Sequence, residues 1–64
     1  MTPAKMTAYA RESLLLVCDR EGWTDAEKWV YAAECLMGQG VDRQEAMKVA
    51  RAVWRERFKT WEAN

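Results

Sequence analysis

Two cysteines, one serine and a row of four cations are the residues through which this chain could act. Cys18 and Cys35 would need an electropositive, accessible setting to become thiolate nucleophiles. Each instead has a carboxylate beside it in sequence, Asp19 and Glu34. Ser13 has no visible base, because the chain contains no histidine, the side chain that most often takes up a proton near neutral pH. Two cysteines without histidine fall short of the four-ligand set of a structural zinc site and are too few for a disulfide framework. Gly38-Gln39-Gly40 is not followed by the Lys-Ser/Thr of a phosphate loop. The residue types therefore predict no enzyme, no cofactor and no metal.

The cations are the sharper signal. Lys48, Arg51, Arg55 and Lys59 recur at intervals of three, four and four residues, which places them on one side of a helix. Ala46, Val49, Ala50, Val53, Trp54, Phe58 and Trp61 form an apolar stripe on the other side. Arg51 with Arg55, and Arg55 with Lys59, are like charges four apart, a spacing that costs a helix about 0.2–0.5 kcal/mol per pair. Glu45 and Glu62 relieve this only in part. A face kept for solvation alone alternates signs more readily, so the row reads either as an ordinary solvated face or as a contact surface. Arg57 falls within the apolar stripe on a helical wheel, where it would snorkel outward along its alkyl stem, stack on a tryptophan or pair with a carboxylate of another helix or subunit. Near Trp54, Phe58 and Trp61 it would make an interface anchor, since Trp and Arg dominate binding hot spots. The expected partner-binding set is Lys48, Arg51, Arg55, Arg57, Lys59 and Trp61, facing an acidic protein surface.

The elements that must position these residues are legible from their punctuation. Thr2-Pro3, Thr24-Asp25-Ala26-Glu27 and Asp42-Arg43-Gln44-Glu45 are helix starts, the second a capping box. Gly22, and Gly38 with Gly40, supply the stops. These signals predict an all-α, small three-helix bundle with helices at about 3–21, 25–38 and 43–62, forming a single domain over 1–64. Helix 2 should bury Ala26, Trp29, Val30, Ala33, Leu36 and Met37. Helix 1 should bury Met6, Tyr9, Ala10, Ser13, Leu16 and Val17, with Leu14 on the shoulder. Ala4, Ala8 and Leu15 make a second, nearly opposite strip on helix 1, the expected homodimer contact.

Size and charge bound the rest. A chain of 64 residues, 50% hydrophobic and 31% charged, is one globular domain with a marginal core, for which a second subunit is a usual reinforcement. No apolar run exceeds five residues, the length of Leu14–Cys18, which predicts neither a membrane span nor a signal peptide and hence a cytoplasmic location. The net charge is zero, so attraction to phosphates should be weak.

Two functions remain open. One is a small protein-binding module, an inhibitor, adaptor or regulator of a larger protein, of the kind that phages and other mobile elements often encode. The other is DNA binding: Cys35–Val49 can be laid on a helix-turn-helix pattern with Gly40 in the turn and Arg43, Gln44 and Lys48 toward the major groove. Leu36 and Gln39 depart from that pattern, where a small and an apolar residue belong.

Overall fold

The computed structural model describes residues 1–58, and these form a three-helix bundle: α1 (Pro3–Val17), α2 (Asp25–Gly38) and α3 (Arg43–Val53), with a π-helical turn, Trp54–Phe58, continuing α3. No strand occurs among the described residues. The starts are made as the sequence predicts. Thr2 Oγ1 accepts from the Lys5 N–H at 3.2 Å, with Pro3 in the first turn. The Thr24 hydroxyl accepts from the Glu27 N–H at 3.1 Å while the Glu27 carboxylate accepts from the Thr24 N–H at 2.8 Å. Asp42 Oδ2 accepts from the N–H groups of Gln44 and Glu45.

The stop after α2 is a six-residue cap. The Val41 N–H donates to the Leu36 carbonyl and the Gly40 N–H to that of Met37, the paired bonds of a Schellman motif. That motif needs a left-handed residue at Gly40, whose φ is +91°. Val41, just beyond, folds back onto the core.

Helix 1 ends earlier than its punctuation suggests, at Val17 rather than 21. The chain turns at once, with the Arg20 N–H donating to the Val17 carbonyl. The freed Cys18 carbonyl accepts from Lys28 Nζ at 2.8 Å, a cation from α2 sitting at the C-terminal end of α1 where the helix dipole favours it. Arg20 lies over the Trp23 ring, 5.1 Å from its centroid, and Trp23 meets Tyr31 edge-on at 6.0 Å. Those two contacts close the connecting loop onto α2.

Met6, Ala10, Leu14, Ala32, Ala33, Leu36, Ala46, Ala50, Val53, Trp54 and Phe58 make one core. Leu14 is fully buried and Leu16 is 69% exposed, the reverse of the expected ranking. Ala10, Leu14 and Val17 set the buried direction of α1, and Leu16 lies outside that arc. Ala26 is likewise exposed, whereas Ala32 is buried. Helix 2 packs against both neighbours, and Ala26, in its first turn, lines an open recess beside Arg51 and Arg55 instead of lying in the core.

The segment after α3 changes pitch. An α-helix turns about 100° per residue, which beyond Trp54 would aim Arg57 at the core and carry Phe58 past it. A π turn is wider and advances roughly 80° per residue. Phe58 therefore arrives facing the core, buried, and Arg57 is exposed. This corrects the expected placement of Arg57 inside the apolar stripe. The single α-helix expected over 43–62 is α-helical only to Val53, and its last residues, with Lys59, Trp61 and Glu62, lie outside the described residues.

Candidate functional site

The groove between α2 and α3 gathers three of the expected cations. Lys48, Arg51 and Arg55 line a shallow concavity of about 470 Å³ together with Trp29, Met47 and Ala52. All three cations are exposed. Their alignment survives the change of pitch because Arg55 is the first residue after Trp54, so too little angle accumulates to separate it from Arg51.

Trp29 and Met47 are half-buried, each with one face on the core and the remainder toward the groove. The Arg51 guanidinium lies 6.0 Å from the Trp29 ring centroid, at the outer limit of a cation–π contact. The floor is thus apolar and the wall cationic. A neighbouring recess adds Asp25, Ala26 and Trp54 to Trp29, Arg51 and Arg55. Among the described residues Asp25 is the one carboxylate lining it, at the first turn of α2, where a negative charge is favoured by the helix dipole.

Under this recess Trp54 is only 3% exposed, and its indole Nε1–H has no hydrogen-bond partner among the described residues. A buried unpaired donor of this kind costs about 1–3 kcal/mol. The ring is held nonetheless: Phe58 stacks on it, and Lys28 Nζ sits 5.5 Å from its centroid.

The other expected site residues fall elsewhere. Arg57 does not line the groove. Lys59 and Trp61 lie outside the described residues. Ala4 and Leu15 are exposed and Ala8 is half-buried on the outer side of α1. Trp29, Met47 and Ala52 are the groove residues that helical periodicity did not single out as contacts. Trp29 was expected in the core. Met47 and Ala52 each stand one residue away from a cation of the row, the only signal they carry.

The potential nucleophiles are quietly placed. The buried Ser13 hydroxyl donates to the Tyr9 carbonyl at 3.0 Å, a bond back along its own helix. Cys18 and Cys35 are free thiols, both partly buried. Among the described residues no group of three or more His, Cys, Asp and Glu side chains could hold a metal ion, and no helix is long and apolar enough to cross a membrane. Comparison of the chain with protein-family models, curated proteins and solved structures finds no match in any of the three.

Proposed function

We propose that this chain is a non-enzymatic protein-binding module that acts on a larger protein as an inhibitor, adaptor or regulator, by taking an acidic segment of that partner into the α2–α3 groove. The observation that carries this reading is the convergence of Lys48, Arg51 and Arg55 around the half-buried Trp29 and Met47. An apolar floor gives affinity through desolvation, and a cationic wall selects for carboxylates and speeds encounter. Arginine suits the role better than lysine, because its planar fork can grip a carboxylate with two parallel bonds.

The test is selection from a displayed library of acidic, amphipathic peptides against the wild-type chain and against Arg51→Glu combined with Arg55→Glu. Wild type should enrich peptides that alternate carboxylates with large apolar residues, while the double reversal should recover none of them with its helicity unchanged. Equal recovery by both chains would reduce the row to a solvated face.

A DNA-binding reading is favoured by one observation: α2 and α3 are joined by a short turn carrying Gly40 at positive φ, and Arg43, Gln44 and Lys48 are all exposed on α3. Titration of random duplex DNA at several salt concentrations separates the two readings. A steep fall of affinity with salt supports DNA, since each neutralised phosphate adds about one to the logarithmic slope.

A further inference from the structure

We infer that the outer face of α1 is a self-complementary surface on which a second copy of this chain packs antiparallel, with Lys5 of each copy against Glu12 of the other. Three observations converge on this face. The large hydrophobic residues left exposed among the described residues, Met1, Leu15 and Leu16, all belong to α1 or to the residues just before it. A shallow concavity of about 430 Å³ lies here, lined by Tyr9, Glu12, Ser13, Leu15 and Leu16. Lys5 and Glu12, both exposed, are seven residues apart, which is two helical turns, so they lie on one line along this face.

The register follows from the positions. A two-fold axis passing between Ala8 and Tyr9 sets residue 5 opposite residue 12. It places each lysine against a glutamate on both sides, and it brings the N-terminal end of each α1 alongside the end of the other that carries the exposed Leu16 and its concavity. Ala8, being small, lets the helices approach closely at the centre. The parallel arrangement of the same helices sets lysine against lysine and glutamate against glutamate, so charge selects the antiparallel one. The two-fold contact is isologous and closes on itself. It uses no residue of the α2–α3 groove, so it stands whether or not the proposed function holds.

Sedimentation equilibrium of the whole chain tests this with a charge exchange. Wild type should dimerise reversibly with concentration, and more weakly as salt is raised. Lys5→Glu alone and Glu12→Lys alone should each weaken the dimer by at least about tenfold, because each opposes like charges at two symmetric points. The double exchange should return association to within about threefold of wild type, and an equimolar mixture of the two single variants should form a heterodimer. Circular dichroism should show unchanged helicity throughout, since both positions are exposed. Leu16→Ser gives a second, charge-independent readout and should also dissociate the dimer. A wild-type monomer at all concentrations up to about 1 mM overturns the inference, as does a dimer indifferent to the single exchanges or not restored by the double one.

Discussion

The Trp54 and Phe58 rings stack 5.5 Å apart and within 10° of parallel, and they can do so facing the core because the helix widens between them. The π turn exchanges one regular α-helical turn for the burial of a phenyl ring in place of a guanidinium. Phe58→Ala should then cost about 3 kcal/mol, the low end for a large core truncation because the site lies at the edge of the core. Arg57→Ala should change stability by no more than about 0.5 kcal/mol. Urea denaturation of the two variants decides the matter. The opposite ranking would mean that the segment keeps α-helical pitch in solution.

Lys28 joins three parts of the molecule: it sits on α2, donates to the Cys18 carbonyl at the end of α1, and places its ammonium over the Trp54 ring. Lys28→Met keeps the alkyl stem and removes both polar contacts. A loss of about 1–2 kcal/mol is expected from the uncapped carbonyl and the missing cation–π contact together. Because the cap closes α1, amide hydrogen exchange in its last turn should accelerate in the same variant more than exchange in α3. Uniform acceleration across the three helices would show that Lys28 has no local role.

What the sequence disclosed follows from how local each cause is. The three N-caps and the Gly40 stop need only four to six neighbouring residues, and all of them form as their spacing predicts. The end of α1 does not, since its cap is a lysine ten residues further along the chain. Leu14 and Leu16 differ in burial only because of where α2 and α3 press on α1. The basic row was visible as a period in Lys48, Arg51 and Arg55. Its apolar floor was hidden, because Trp29 comes from another helix and reaches the groove only through tertiary packing. The pitch change that exposes Arg57 was out of reach of any fixed helical period, since an ideal wheel puts Arg57 near the middle of the apolar stripe and Phe58 only at its margin.

The two glycines that flank Gln39 should respond to alanine with opposite signs. Gly38 is the last residue of α2, has ordinary helical geometry, and a Cβ there would meet nothing within 4 Å. Gly38→Ala should stabilise by up to about 1 kcal/mol, through helix propensity and a less flexible unfolded chain. Gly40 also has open space around it, but its φ of +91° is one that an L side chain rarely adopts. Gly40→Ala should destabilise by about 1 kcal/mol or more. Thermal unfolding of both, followed by circular dichroism, checks the pair; a stabilising Gly40→Ala would mean that the Schellman cap is not held in solution.

Tyr31 offers a pH-dependent readout of the α2 surface that faces α1. Interaction with the Cys35 thiol, one turn along the helix, holds its phenol above the ordinary value of 10.0, opposed by the positive charge of Arg20. The raised value means that the folded protein keeps this proton to higher pH than the unfolded chain does. The associated stability is complete below the unfolded pKa of about 10 and is lost as pH rises through the higher folded value. Cys35→Ala should bring the Tyr31 titration back toward 10.0, while Arg20→Gln should move it further up. Tyrosinate absorbance reports Tyr31 alone in a Tyr9→Phe background, because the chain has only these two tyrosines. A Tyr31 titration unmoved by Cys35→Ala would show that the thiol and the phenol do not interact, and that the helix surface there is ordered differently from the arrangement described.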